Sequence, residues 1–440
     1  MRETGKKQLI RNISSLFLLQ VANYLLPFFS LPIIVRIIGP ESFGIINYAA
    51  AIIAYFTLLI NYGFNLTATR KVAQHPNDLE MINKIFNEVF GAKLVLFAVA
   101  LFAFCAITVF IPDIRKNWEV MWFSFLICVA WVITPDWLFQ GVQQLHKLAY
   151  FNFATKFIFT VIILLIIKRK EDYYLQPLAI SASQILVAFF CWRYSISRFK
   201  LQITWPGFKK IREILWTDRI VFFSTVVINL YTTTNTVLLG ILTNSTEVGY
   251  YTAAQRFITL AQTLISIPLS QSIFPYIGNA FGISKEQGLA TARKIVPMVA
   301  VFTFFCALIM WLIGPWAIEI FYGDSFLPSK QMFRIMAFAP FIISLSNFFG
   351  IQVMLNLHMD KPVFRITAAG AVLSLLLNAV LTLRLGGIGT SYAFLITESF
   401  ITIAMGLYLL SKNISIIHLH SFLPGLLVRQ FKLLIAEFRK

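Results

Sequence analysis

About twelve blocks of mostly apolar residues, each roughly 20 long, follow one another along this 440-residue chain with little sequence between them. An α-helix needs that length to cross a bilayer. In hydrocarbon a backbone must also satisfy its own hydrogen bonds. The pattern therefore predicts an all-α membrane protein of about 12 transmembrane helices. Spans are expected near 12–38, 43–63, 86–111, 119–140, 149–168, 174–194, 218–242, 248–277, 294–321, 332–357, 363–384 and 388–411. Hydrophobic side chains make up 58% and charged ones 13%, against about 45–50% and 25% in soluble proteins. No stretch is left for a large extramembrane domain, so enzymatic activity is not expected. The first block is span-length and lacks a small-residue cleavage pattern, so it is expected to stay as an anchor. Cys105, Cys128, Cys191 and Cys306 sit inside apolar blocks, where thiols act as small hydrophobes. Neither disulfides nor a metal site are expected from them.

A net charge of +18 would suggest nucleic acid in a soluble protein. Here it follows the rule that cytoplasmic loops carry excess Lys and Arg. With the N-terminus inside, 25 of the 37 basic residues fall on the inner side and 8 on the outer. That asymmetry predicts an even number of spans with both termini cytoplasmic. The loop from Lys168 to Asp172 runs against the rule, with Glu171 and Asp172 beside its three positive charges.

A long basic joint divides the chain into two six-helix lobes. The expected parts are an N-terminal lobe 1–194, an amphipathic linker 195–217, a C-terminal lobe 218–411 and an interfacial tail 412–440. Apolar residues at helical spacing between Ser421 and Lys440, and again after Pro206-Gly207, suit helices lying on the inner leaflet. Glu41-Ser42-Phe43-Gly44 and Glu247-Val248-Gly249 follow the first span of each half, each with an alanine pair beyond. The lobes are expected to be related by a pseudo-two-fold axis, an arrangement that places a transporter's substrate site near the midplane.

Four cations fall in or near spans: Lys93, Lys156, Arg256 and Arg334. Lys156 and Arg256 lie about eight residues in, or about 12 Å deep at 1.5 Å per residue. They can snorkel to headgroups, pair with Asp136 or Glu398, or join Arg36 and Lys93 in a hydrated cleft that attracts an anion. Arg334 is close enough to a span end to snorkel. Asn23, Asn229 and Asn378 can serve as interhelical hydrogen-bonding groups. No GxxxxGK[ST] loop is present, so the chain is not expected to hydrolyse nucleotide in the P-loop manner.

Asn23, Pro27, Pro32, Arg36, Gly39, Pro40, Phe43 and Gly44 form the run NxxxPxxxxPxxxRxxGPxxFG, followed by Tyr62-Gly63-Phe64 and Thr67-Ala68-Thr69-Arg70. With these motifs the chain resembles the polysaccharide-biosynthesis (O-antigen) flippases of the multidrug/oligosaccharidyl-lipid/polysaccharide exporter superfamily. Thr134-Pro135-Asp136-Trp137 to Gly141, and Gly249-Tyr250-Tyr251 with Arg256, are similar to further family patterns. Asn378, Gly387, Gly389 and Glu398 also resemble one, with the glycine spacing shortened.

The resemblance implies a flippase moving an undecaprenyl-diphosphate-linked oligosaccharide from the inner to the outer leaflet of a bacterial cytoplasmic membrane by alternating access. The product would serve O-antigen or related polysaccharide synthesis. Arg36, Lys93, Lys156 and Arg256 would bind the diphosphate, with Asn23, Pro27, Pro32, Arg70, Asp136 and Glu398 in cavity or gating roles. Arg70 fits a gate or an orientation signal equally. Asp136 fits a lumen pair, a coupling-proton site or an interfacial carboxylate. Partners would be the lipid-linked glycan, membrane lipids, and the polymerase and chain-length regulator of the same pathway, with no nucleic acid. No cofactor is expected, and a coupling H+ or Na+ is left open. Two alternatives are a cation-coupled drug exporter of the same superfamily and a membrane polymerase or ligase of the same glycan.

Overall fold

The computed structural model describes residues 2–417, with side chains described from Ser30 onward except at 113, 228, 230–232, 266–272 and 274. Every regular element among the described residues is helical, and no strand occurs there. The expected helix in 421–440 lies outside them, as do the side chains of Asn23 and Pro27. Two compact units divide between Val226 and Val227.

In the first unit α1 covers Arg2–Asn61 and bends at Gly39, whose φ of 76° and ψ of 174° leave the helical region. Glycine takes that positive φ without a Cβ clash. Pro40 then opens the next helical stretch, where an amide donor would be idle in any case. The turn expected between spans one and two is thus a bend in helical backbone, not a separate loop. Tyr62 and Gly63, both at positive φ, turn the chain into α2 (Phe64–Gln74). Asp78 caps α3 (Leu79–Phe110) by accepting from the Met81 N–H at 2.9 Å, which satisfies an N-terminal donor of the helix.

A short α4 (Pro112–Lys116) leads to an interrupted run of α5 (Trp118–Phe125), α6 (Ile127–Ile133) and α7 (Asp136–Gly141). Two long helices, α8 (Leu145–Ile166) and α9 (Leu175–Phe199), follow, and then α10 (Phe208–Thr232), which runs past the division. The segment expected as a linker packs into the first unit's core. Phe199, Leu201, Ile211 and Ile214 are buried there with Phe64, Phe86, Trp137 and Leu138. Residues 201–206 form a strap held to α3 by two amides. Asn83 Oδ1 accepts from Gln202 N, and Asn87 accepts from Thr204 N and donates to Gln202 O, each at 2.8 Å.

The second unit contains α11 (Thr234–Leu242), α12 (Ser245–Ile283), α13 (Lys285–Tyr322), α14 (Ser329–Met336), α15 (Ala339–Asn347), α16 (Asp360–Leu377) and α17 (Leu383–Ser411). Wider π-helical turns occupy Phe348–Met354 and Asn378–Thr382. The chain bends again at Gly386, with φ 57°. Among the described residues eight helices are long and apolar enough to cross a membrane. They lie within Ser30–Gln74, Leu79–Phe110, Trp118–Gly141, Leu145–Ile166, Lys170–Phe199, Lys285–Tyr322, Ser329–Met354 and Asp360–Ser411. The chain is a multi-pass membrane protein.

The matching glutamate turns, Glu41 to Gly44 and Glu247 to Gly249, do comparable work in each unit. Glu41 pairs with Lys170 at 3.7 Å, just before α9. Glu247 Oε2 accepts from Gly387 N at 2.8 Å, just beyond the Gly386 bend. In both units the turn after the first expected span is tied to the connection before the sixth.

Candidate functional site

Five cations singled out by the sequence sit on helices, and their positions differ. On α1 the buried face runs through Ser30, Ile34, Val35 and Ile38. Arg36 lies on the exposed side with Ile33. Pro32 is half-buried between the two sides. Lys156 is exposed near the middle of α8, eleven residues from Leu145, which is about 16 Å along the axis. An ionised side chain facing acyl chains in such a stretch would be costly. Arg256 belongs to the second unit, half-buried on α12, with the Tyr322 hydroxyl close enough to sense its charge. Arg334 is exposed in the last turn of α14.

Lys93 is placed differently. Its side chain is 2% exposed on α3, and Nζ donates to Trp131 O at 2.8 Å and to Thr134 O at 3.4 Å. The partner carbonyls are available because of Pro135. In an uninterrupted helix the residue 135 N–H would bond to Trp131 O, and proline has no such hydrogen. The ammonium replaces the missing donor. Asp136, half-buried at the start of α7, adds the nearest opposite charge. Lys93 therefore holds a helix break inside the first unit.

The two motifs of the first unit meet beside that break. Thr69 Oγ1 donates to its own Asn65 O at 2.6 Å and lies 3.2 Å from Trp137 O on α7. A Cβ on Gly141 would stand 2.6 Å from Val72 Cβ, so only glycine lets α2 and α7 approach this closely. On the other side of α2, Thr67 Oγ1 donates to Asp218 Oδ2 at 2.8 Å, and Lys71 Nζ lies 3.6 Å from the same oxygen. Tyr62 stacks on Phe222 with ring centroids 4.3 Å apart and planes 9° apart. A Cβ on Gly63 would come within 2.8 Å of Val221. Arg70 points outward, away from this contact. Sequence reading missed Asp218, Asn83 and Asn87. Only the amphipathic character of 206–215 hinted that this segment has a packing partner.

In the second unit Asn378 Nδ2 donates to Asn235 Oδ1 and to Ser374 O, each at 2.8 Å. Thr382 Oγ1 continues the chain to Asn378 Oδ1 at 3.2 Å and to the Thr390 hydroxyl at 2.9 Å. The π-helical turn at Asn378–Thr382 lets these side chains share one buried line. Asn378 acts as the interhelical group expected of it. Glu398 is buried at 6% exposure on α17, twelve residues beyond the Gly386 bend and midway to Ser411.

Residues 9–281 match the family model described as "Polysaccharide biosynthesis protein". The "Putative O-antigen transporter" of Escherichia coli (strain K12) is 28% identical over 411 residues, covering 93% of this chain and 99% of that one. A solved structure titled "Lipid II flippase MurJ, inward closed conformation" shares the fold with TM-score 0.70 and 15% identity, covering 96% of this chain and 92% of that chain. A multidrug resistance MATE family transporter of the MOP superfamily in an inward-facing conformation does so with TM-score 0.62 and 13% identity, covering 89% and 94%.

Proposed function

We propose, from the premise that this chain belongs to the polysaccharide biosynthesis protein family, that it is a flippase for a lipid-linked oligosaccharide and not an enzyme. Its substrate is an undecaprenyl-diphosphate-linked repeat unit, carried from the inner to the outer leaflet of a bacterial cytoplasmic membrane by alternating access. Support comes from the relatives and from one structural observation: Arg36 and Lys156 are exposed within the apolar stretches of long helices. A sugar string cannot cross hydrocarbon unaided, because each unbonded hydroxyl costs several kcal/mol. A hydrated passage removes that cost, and exposed guanidinium and ammonium groups there supply charge-assisted hydrogen bonds to a diphosphate.

In this reading Arg36, Lys156 and Arg256 receive the anion, while Lys93, committed to Trp131 and Thr134 carbonyls, supports the first unit from inside. Both termini stay cytoplasmic in a twelve-span topology. An inside-negative potential favours anion export by about 2.3 kcal/mol per charge per 100 mV, so no coupling ion is required. The drug-exporter reading is weaker. It asks for exposed mid-span carboxylates, whereas Asp136 sits beside Lys93 and Glu398 is buried.

The test is complementation of a strain lacking its own O-antigen flippase. Restored surface polysaccharide supports the reading. Accumulation of lipid-linked repeat units on the inner leaflet, despite normal amounts of this protein in the membrane, counts against it.

A further inference from the structure

On α10 the residues Phe208, Arg212, Trp216, Ile220 and Phe223 recur every three or four positions and so share one side of the helix. Phe208 is 71% exposed, Trp216 68% and Ile220 70%. The opposite side carries Ile211, Ile214 and Asp218, all buried. The strap before α10 adds Trp205, 52% exposed, whose ring meets Phe208 edge-on at 5.4 Å. Five large aromatic or aliphatic side chains, Phe223 included, thus stand outward together, on a segment already anchored to the first unit's core.

Basic groups interleave with them. Lys209 and Arg212 are exposed, and neither forms an ion pair among the described residues. Lys210 is neutralised locally by Glu213 at 3.0 Å, a bond that holds its ammonium above the ordinary lysine range. Arg219 lies over the Trp216 ring with its guanidinium carbon 3.8 Å from the centroid, and Nη1 donates to Trp216 O at 2.5 Å. Trp216 therefore presents an apolar ring with a fixed positive charge stacked on it.

We propose that this side of α10 and the strap bind the anionic headgroups of glycerophospholipids at the membrane face. Tryptophan and phenylalanine suit the headgroup boundary, where one end of a ring is apolar and the other wet. Unpaired Lys and Arg beside them recognise phosphate charge. The occupant is a lipid surface because α10 begins in this polar setting and continues into the apolar run Val221-Phe222-Phe223, as a helix entering a bilayer does. The same helix turn that faces lipid carries Asp218 on its back, bonded to Thr67 and Lys71. Headgroup binding would hold that buried contact in register. The inference does not depend on the transport reading.

The test uses the full-length protein in detergent with equal phosphatidylglycerol and phosphatidylethanolamine, followed by mass spectrometry of the lipid retained after gel filtration. Phosphatidylglycerol should be retained several-fold over phosphatidylethanolamine. Lys209→Gln with Arg212→Gln should reduce that preference about 5-fold per residue. Arg115→Gln with Lys116→Gln, at an exposed connection elsewhere, should leave it intact. Phosphatidylglycerol should also raise the melting temperature of the unaltered chain more than of the Lys209/Arg212 variant. Equal retention of the two lipids by the unaltered chain, or an unchanged preference in that variant, would overturn the proposal.

Discussion

Pro135 shows at the scale of single residues how a missing donor can recruit a charge. It frees Trp131 O, and Lys93 takes the vacant place from another helix at 2.8 Å. Lys93→Met removes that donor and leaves the carbonyl unsatisfied in an apolar interior, at a cost of about 1–3 kcal/mol. A lowered melting temperature in detergent checks this, with Lys93→Arg expected to recover part of the loss. The sequence made Lys93 visible as a cation within a span but hid its role, because its partners are backbone carbonyls and carry no side-chain signature. Gly141 was visible only as the last letter of a motif. Its function is spatial: a Cβ there would meet Val72 Cβ at 2.6 Å and Thr69 O at 3.1 Å. Gly141→Ala forces α2 and α7 apart, and overpacking of this kind costs about 1–3 kcal/mol. The same melting measurement should register it, while Gly207→Ala, with nothing within 4 Å but a φ of +80°, should register backbone strain alone.

Elements are joined here by side chains that borrow backbone partners. Asn87 bonds both Gln202 O and Thr204 N, so Asn87→Ala should free the strap without unfolding α3. Hydrogen exchange at the Thr204 amide should then quicken, while amides in the middle of α3 remain protected; unchanged exchange at Thr204 would contradict the assignment. Helix existence was largely legible, since apolar length and the turn at Pro40 are written into sequence, whereas the bend at Gly386 was not foreseen. The two π-helical turns were not legible either; the one at Asn378–Thr382 accompanies the contact of Asn378 with Asn235 and Ser374, which no periodicity announces. The Glu247 tie was foreshadowed by its match to Glu41, although no periodicity reveals that its carboxylate reaches Gly387 N. Glu247→Ala should cost about 1.5–3 kcal/mol, the value of a hydrogen bond to a charged group.

For the whole molecule, membrane insertion and family were readable from residues alone, whereas the proposed transport route rests on where the cations of the long helices sit. Lys93 is enclosed in the first unit's interior, whereas Arg36 and Lys156 lie at exposed positions of long, mostly apolar helices. Losing a charge-assisted contact of about 1.5–3 kcal/mol corresponds to roughly a 10- to 100-fold effect on binding. The central claim is tested most directly by the rate at which lipid-linked oligosaccharide reaches the outer leaflet in cells carrying Lys156→Ala together with Arg256→Ala. The account predicts at least a 10-fold slower export at an unchanged level of membrane-inserted protein, with Lys156→Arg close to the unaltered rate. Full export by the double variant would contradict it.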